Sequence, residues 1–337
     1  MELNLSQLQA VATGAVYVSE YEGGFLFHRF TKEQEEFYRL RDAGHYLKTF
    51  APTGVTLHFK TNSTRLFLQV ETANGSSRYF FSFDVFVNGK MVGSMDNFTG
   101  VDLPYGDPTV KLPLGAYEKE FDLGPGEKEL KVYLPFSTKT VVKTVALDDG
   151  ALITPIKPAK KLLAFGDSIT HGYDALHPSN KYITQLAEAL DAEEFNKGIG
   201  GERFTPGLAG LAALRDPFDP DYVTVAYGTN DWSHRALDEF TENCRDFYTT
   251  LSAQYPNAKI YAITPIWRKD CTEDKKMGAF EEVAKCITAV TADLSNVTVV
   301  PGFDLVPHEE SLYADLRLHP NDEGFAHYGK NLIAAIR

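Results

Sequence analysis

The hydrophobic rhythm of the chain changes near residue 151, and this change constrains the fold more than any other feature. Before it, short runs alternate apolar and polar residues with a period of two, separated by turn signals such as Asn88-Gly89. This pattern predicts antiparallel strands packed as an all-β sandwich or jelly roll. The runs are "AVYVSEY", "GGFLFHRF", "VTLHFKT", "RLFLQVET", "YFFSFDVFVNGKMVG", "AYEKEFDL" and "KELKVYLPF".

The second half alternates short apolar strands with segments of helical periodicity. Such alternation predicts a five-stranded parallel sheet covered by helices on both faces. The predicted strands are "KLLAF", "EEFN", "YVTVAY", "KIYAIT" and "VTVVPG". Between the halves, "ITPIKPAKK" contains two prolines and three lysines, which is typical of a linker. We therefore expect a β domain over 1–152, a linker over 153–161 and an α/β domain over 162–337.

The charge balance excludes some classes of partner. The 33 Lys and Arg residues and 46 Asp and Glu residues give a net charge of −13, which repels phosphate backbones and anionic lipids. We expect no nucleic-acid or membrane partner. The 3 cysteines lack C-x-x-C spacing, and the first residues have neither a basic leader nor an apolar core. These features favour a cytoplasmic location.

Polar residues follow the predicted parallel strands, at the edge where such sheets carry functional groups. In "LLAFGDSITHGYD" the first strand is followed by Ser168, although the segment lacks the second glycine of a G-x-S-x-G elbow. Ser168 is either a nucleophile or a simple helix cap. The segment "NKGIGGERF" contains Gly201, and "YGTNDW" contains Asn230. Backbone and amide N–H groups at these places are components of an oxyanion hole.

A histidine near the C-terminus completes the set. His319 lies in "YADLRLHPNDEGFAHYG", where Pro320 interrupts the chain before a predicted final helix that begins near Asn321 or Asp322. A histidine that precedes a helix packed on the sheet is placed to face Ser168 as a general base.

With these four segments the second half resembles the GDSL or SGNH hydrolases, a superfamily of serine esterases. The resemblance implies a flavodoxin-like α/β/α domain in which Ser168 is the nucleophile and His319 is the base. It also implies an oxyanion hole formed by the N–H groups of Ser168 and Gly201 and the side-chain amide of Asn230. No metal or organic cofactor is implied.

The sequence departs from the family pattern at the acid of the triad. The family acid usually lies three residues before the histidine, and Leu316 occupies that position here. Asp315 lies one residue further away, so a one-residue bulge is needed for its carboxylate to orient the imidazole. A backbone carbonyl is the alternative acceptor.

The first half extends the resemblance to two-domain carbohydrate esterases of the acetyl xylan esterase type, in which a β-sandwich precedes the SGNH domain. We therefore expect an acylated small molecule or oligosaccharide as substrate. The hypothesis is a serine esterase that removes short acyl groups, above all O-acetyl, through an acyl-enzyme. Trp232, Trp267 and Tyr227 follow or end predicted strands and are expected to contact substrate. The exposed edges of the β-sandwich also permit a homo-oligomer.

Two other functions are compatible with the same sequence features. A lysophospholipase or acyl-thioesterase of the same superfamily would prefer long acyl chains. A carbohydrate-binding protein with a decayed hydrolase half would not turn over esters at all.

Overall fold

The first half of the chain forms two antiparallel sheets that face each other, in a computed structural model that describes residues 1–103 and 106–337. One sheet has the order β1-β4-β9-β6-β7, with β11 also paired to β4, and the other has the order β2-β3-β10-β5-β8. The strands are β1 (Ala12–Thr13), β2 (Tyr17–Tyr21), β3 (Gly24–His28), β4 (Thr56–Thr61), β5 (Arg65–Asn74), β6 (Ser82–Val87), β7 (Lys90–Asp96), β8 (Ala116–Asp122), β9 (Lys128–Tyr133), β10 (Thr138–Ala146) and β11 (Thr154–Pro155).

The period-two pattern of the sequence explains how these sheets pack. Along β5, Leu66, Leu68 and Val70 are buried, whereas Arg65 and Glu71 are exposed. The buried set joins apolar residues of the opposite sheet in one core, as expected for a sandwich. The predicted β-sandwich is confirmed.

The first half is not entirely β, which corrects the prediction from its rhythm. Its helices are α1 (Leu5–Val11), α2 (Lys32–Arg41) and α3 (Ala43–Thr49). Thr31 and Gln34 form a capping box that starts α2. The apolar residues of α2 are few, so its helical period is weak in the sequence. The α2–α3 hairpin connects β3 to β4 and packs on the second domain.

The second half forms a parallel sheet with the order β13-β12-β14-β15-β16. Counted from the first strand of this domain, that order is 2-1-3-4-5, the flavodoxin-like arrangement, so the predicted fold is confirmed. The strands are β12 (Lys160–Gly166), β13 (Ala192–Asn196), β14 (Tyr222–Ala226), β15 (Lys259–Ile263) and β16 (Val297–Val300).

Helices cover both faces of this sheet. Leu162 and Ala164 of β12 pack with one set of helices, and Leu163 and Phe165 pack with the other. The helices are α4 (Ser168–His171), α5 (Tyr182–Leu190), α6 (Ala209–Ala213), α7 (Thr229–His234), α8 (Leu237–Gln254), α9 (Glu281–Thr291) and α10 (Asp322–Ile336), with 3₁₀ turns at Pro178–Asn180 and Glu310–Leu312. None of the helices in the described part of the chain combines the length and apolar character needed to cross a bilayer.

The segment expected to be the linker is in part incorporated into the two sheets. Thr154 and Pro155 form β11 and pair with β4, and β12 already begins at Lys160. Pro155 is tolerated because β11 is a short edge strand. Residues 156–159 alone therefore separate the two sheets.

A buried polar cluster at the end of β13 joins the two domains. The ammonium of Lys197, just after β13, donates to Asp216 Oδ1 at 2.6 Å, to Gln34 Oε1 at 2.8 Å and to the Arg29 carbonyl at 2.6 Å. The Arg29 guanidinium in turn donates to the Asn196 carbonyl at 2.8 Å. Because these groups have no access to water, the α2–α3 hairpin is fixed against the loop that follows β13.

Candidate active site

Ser168 lies where the first strand of the parallel sheet ends. It is the first residue of α4, and the Asp167 side chain caps this helix by accepting the Ile169 N–H at 2.9 Å. The strand before it, β12, pairs with β13 on one side and β14 on the other, so Ser168 is at the switch point of the sheet. Burial raises the pKa of Asp167 to about 6. The serine itself is 5% exposed.

A hydrogen-bonded chain connects three of the predicted site residues. Ser168 Oγ lies 2.8 Å from His319 Nε2, and His319 Nδ1 lies 2.7 Å from Asp315 Oδ2. His319 belongs to the loop before α10, which Asn321 caps by accepting the Gly324 N–H. This is the geometry in which an imidazole can take a proton from a serine hydroxyl.

Asp315 reaches His319 because the loop between them contains a left-handed residue. Leu316 has φ +56°, a conformation that costs free energy for a side chain of this kind. The turn lets Asp315 Oδ1 accept the backbone N–H groups of Arg317 at 3.0 Å, Leu318 at 2.7 Å and His319 at 3.1 Å. The extra residue relative to the family spacing is thus absorbed as a bulge.

These contacts set the charge of Asp315. Burial by itself raises the pKa of this carboxyl, but the hydrogen bonds from the His319 ring and the backbone N–H groups of Leu318 and His319 outweigh burial and hold it well below its ordinary value. The carboxylate is therefore ionised across the physiological range and can fix the imidazole with its proton on Nδ1.

A second carboxylate, not identified from the sequence, also faces His319. Asp174 Oδ2 lies 3.6 Å from His319 Nδ1, and its side chain is fully buried. The guanidinium of Arg78, from the first domain, contacts both carboxylate oxygens, with Nη2 to Oδ2 at 2.8 Å. Arg78 therefore neutralises Asp174 and leaves Asp315 as the close partner of the imidazole. No motif signalled Arg78, because it lies in a different domain.

Among the described residues, one group of side chains has ligand atoms close enough together to hold a metal ion. It consists of the two carboxylates, Asp174 and Asp315, and His319. The ligand atoms of Asp174, Asp315 and His319 lie within 4.8 Å of one another. Each is already engaged, since Arg78 pairs with Asp174, and Asp315 pairs with His319. The donor set is satisfied without an ion.

The groups expected to bind an oxyanion lie on neighbouring loops at the same edge. Gly201 follows β13 and has φ +87°, which favours glycine. Asn230 is the second residue of α7, and its side-chain amide donates to the Glu202 carbonyl at 3.2 Å. The Ile199 N–H donates to the Gly166 carbonyl at 2.9 Å, so the Gly201 loop is also tied to the end of β12.

Two of the three aromatic residues expected to contact substrate do not lie on the surface, and that prediction is corrected. Trp232 is 0% exposed and Tyr227 is 1% exposed, so neither offers a face to a sugar ring. Trp232 packs against Phe280 and donates its indole N–H to the Gly278 carbonyl at 2.8 Å. Trp267 is half-buried and stacks on His308 with ring centroids 5.6 Å apart. The sequence could not separate strand-end aromatics that point inward from those at the rim.

The residue after Asn230 is a buried carboxyl with an unusual environment. Among the described residues, neither oxygen of Asp231 has a hydrogen-bond partner. Burial raises the pKa of Asp231 to about 7. This side chain lies beneath the site edge and does not belong to the chain of Ser168, His319 and Asp315.

The fold and the site are those of an acyl-ester hydrolase. Residues 164–327 match the family model of the GDSL-like lipase/acylhydrolase family, so the second domain is similar to the members of that family. No curated protein matches the chain by sequence.

Solved structures share the two-domain fold at low sequence identity. The salicylyl-acyltransferase SsfX3 from a tetracycline biosynthetic pathway has a TM-score of 0.80 and 18% identity, over 100% of this chain and 96% of its own. A putative GDSL-like lipase from Bacteroides ovatus ATCC 8483 has a TM-score of 0.76 and 19% identity, over 100% and 96%. A family two carbohydrate esterase from Cellvibrio japonicus has a TM-score of 0.65 and 18% identity, over 100% and 97%.

Proposed function

We propose that this chain removes short acyl groups, above all acetyl, from hydroxyl groups of oligosaccharides through a serine-bound acyl-enzyme. The observation that carries the proposal is the hydrogen-bonded chain from Asp315 through His319 to Ser168, at a nucleophile that is 5% exposed. A decayed hydrolase half would have no reason to keep this chain intact.

In the first half of the proposed reaction, Ser168 Oγ attacks the ester carbonyl carbon while His319 Nε2 takes the hydroxyl proton. Asp315 holds the proton on Nδ1 and stabilises the imidazolium that forms. Hydrogen bonds from the backbone N–H groups of Ser168 and Gly201 and from the Asn230 side-chain amide stabilise the negative charge on the carbonyl oxygen. Collapse of this intermediate breaks the ester C–O bond, and the imidazolium protonates the leaving sugar hydroxyl.

In the second half, water replaces the leaving group. His319 Nε2 accepts a proton from the water as its oxygen attacks the acyl carbon bound to Ser168. The second tetrahedral intermediate breaks the bond to Ser168 Oγ, which regains its proton from the imidazolium. The products are the free acid and the restored enzyme.

Two features support a short acyl group on a sugar. The recessed position of Ser168 favours an acyl group that adds little bulk beyond the carbonyl. The family two carbohydrate esterase from Cellvibrio japonicus has the same two-domain arrangement over the full length of this chain, which supports a carbohydrate ester. The half-buried ring of Trp267, at the same edge, is the remaining aromatic candidate for contact with a sugar.

A long acyl chain is the second candidate, and one cavity favours it. A cavity of about 360 Å³ between the domains is lined by apolar residues that include Phe80, Val110 and Leu176, and also by four acidic residues. The cavity also contacts Asp174, which faces Nδ1 of His319, whereas Ser168 faces Nε2. It therefore lies behind the imidazole, away from the attacking oxygen, and we favour the short-chain substrate.

An acyl-length series on the complete protein tests this proposal. The rates to measure are acetate release from acetylated xylo-oligosaccharides and hydrolysis of an aryl acetate and an aryl palmitate. We expect acetate release from both acetyl substrates and little cleavage of palmitate. Ser6→Ala, an exposed serine in α1, is the matched control for Ser168→Ala.

Each outcome separates the candidates. Faster turnover of palmitate than of acetate would support the long-chain alternative and overturn the proposal. Turnover of aryl acetate without acetate release from the oligosaccharides would retain the esterase and reject the sugar substrate. A parallel reaction with added alcohol acceptors asks whether the acyl group is transferred instead of hydrolysed, as the name of the acyltransferase of similar fold suggests.

A further inference from the structure

The first domain places a cation directly behind the Gly201 loop. Lys48 lies in the last turn of α3, and its ammonium donates a hydrogen bond to the Gly200 carbonyl at 2.6 Å. Within residues 1–103 and 106–337, Lys48 has no salt-bridge partner. Its ammonium is therefore bound by the Gly200 carbonyl and not by a carboxylate. Burial lowers the pKa of Lys48.

The carbonyl that Lys48 contacts belongs to a peptide group with a proposed catalytic role. The Gly200 C=O and the Gly201 N–H are the two ends of one planar, conjugated unit. A cation on the oxygen withdraws electron density through this unit and makes the N–H at the other end a stronger donor. The Gly201 N–H is the group expected to bind the oxyanion.

The same peptide is held in one orientation by its surroundings. The Tyr173 hydroxyl lies so close to Gly200 that an added Cβ there would be 2.4 Å from it. On the far side of Gly201, the Glu202 carbonyl accepts the Asn230 amide at 3.2 Å. A turn of the peptide that removed the Gly201 N–H from the site would break its bond to Lys48.

We propose that Lys48 is a positioning residue that orients and polarises the Gly200–Gly201 peptide for oxyanion stabilisation. This inference rests on the serine mechanism described above and does not depend on which ester is the natural substrate. It gives the first domain a direct part in catalysis, because α3 belongs to that domain and contacts this peptide.

A purely structural role for Lys48 is the alternative, and the chain offers a matched control. Arg41, at the end of α2, donates from the same hairpin to the Thr205 hydroxyl, four residues beyond Gly201. Arg41→Met therefore removes a cation from the same contact between domains and leaves the Gly200–Gly201 peptide untouched. A general effect of removing a cation from this hairpin would appear in both variants.

The test compares wild type, Lys48→Met, Lys48→Arg and Arg41→Met with an aryl acetate. Loss of a whole oxyanion donor lowers kcat by roughly 10² to 10³-fold, so loss of its polarisation is expected to cost about tenfold. We expect kcat of Lys48→Met to fall by about this factor with KM unchanged, because the interaction strengthens only as the oxyanion forms. Lys48→Arg should retain more activity than Lys48→Met, and Arg41→Met should match wild type.

A second readout does not require turnover. In ¹H–¹⁵N spectra, the Gly201 amide nitrogen should move upfield in Lys48→Met, because its peptide carbonyl loses a charged hydrogen-bond donor. If Lys48→Met does not fold, Lys48→Gln, which keeps a neutral donor, replaces it in both measurements.

Unchanged kcat in a folded Lys48→Met variant, or an equal fall in Arg41→Met, would overturn the inference. An unshifted Gly201 resonance would overturn it as well. These results are distinct from failure of the proposed function, which would appear as wild-type protein without serine-dependent ester turnover. In that case the spectra still report whether Lys48 polarises the Gly200–Gly201 peptide, while its role in oxyanion stabilisation falls with the proposed function.

Discussion

Replacement of Asp315 by asparagine should place the His319 proton on the wrong nitrogen. Asp315 Oδ1 accepts three backbone N–H groups, and Oδ2 contacts His319 Nδ1 at 2.7 Å. An asparagine has only one acceptor oxygen, and we expect this oxygen to accept the hydrogen bonds of the three backbone N–H groups. The amide NH₂ then faces Nδ1, which must accept instead of donate. The proton moves to Nε2, which faces Ser168 Oγ. Nε2 then has no free lone pair, so the ring can no longer accept the serine proton.

The size of the effect follows from this geometry. In a serine triad, an asparagine in place of the acid leaves the structure intact and lowers kcat by about 10⁴, or roughly 5 kcal/mol of transition-state stabilisation. We expect a loss of this order for Asp315→Asn with an aryl acetate at pH 7.5, and a KM close to that of wild type. The loop should remain folded because the three N–H groups keep their acceptor.

The control is Asp304→Asn, an exposed aspartate near an imidazole, His308, that lies outside the chain of Ser168 and His319. It should match wild type in kcat and in thermal stability. Activity of Asp315→Asn within tenfold of wild type, in a folded protein, would refute the reasoning. A backbone carbonyl or Asp174 would then be the group that orients His319.

Three further predictions concern buried charges. Lys197→Met leaves a buried carboxylate unpaired and should lower the free energy of unfolding by about 3–5 kcal/mol, measured by urea denaturation; an unchanged midpoint would contradict it. Arg78→Met should cost a similar amount because Asp174 is fully buried, whereas exposed Arg65→Met should cost little. Asp231, with a pKa of about 7, contributes stability that is complete below its unfolded pKa near 4 and is lost as pH rises through 7. The stability of Asp231→Asn relative to wild type should therefore rise by about 3 kcal/mol between pH 5 and pH 8, and equal pH slopes would exclude the perturbed carboxyl.

The sequence predicted those parts of the fold that depend on local periodicity. The alternation in β5 and the apolar run of β12 each specify a strand and the faces that it buries. The order of Ser168, Gly201, Asn230 and His319 along a parallel sheet also predicted which loops meet, because the carboxyl ends of its strands lie at one edge.

The contribution of the first domain to the site could not be predicted from periodicity. Arg78 and Lys48 act on groups about a hundred residues or more further along the chain, and neither belongs to a motif. Their positions depend on how two separately patterned domains pack. The α2–α3 hairpin that carries Lys48 was missed because α2 is mostly polar and gives a weak helical signal.

The acid of the triad shows where spacing alone is insufficient. A rule that expects the acid three residues before the histidine points to Leu316, which cannot accept a proton or a hydrogen bond through its side chain. The left-handed backbone at Leu316 brings Asp315 to His319 instead. Hydrogen bonds from three backbone N–H groups to Asp315 compensate for this strain, and a linear motif does not encode them.

The most direct test of the proposed serine mechanism is the kcat/KM of Ser168→Ala for an aryl acetate, relative to wild type and Ser6→Ala. Without the nucleophile, the remaining groups can only promote attack by water. We expect a loss of about 10⁴-fold or more, with an unchanged unfolding temperature. Turnover by Ser168→Ala within tenfold of wild type would contradict the claim that Ser168 carries the acyl group.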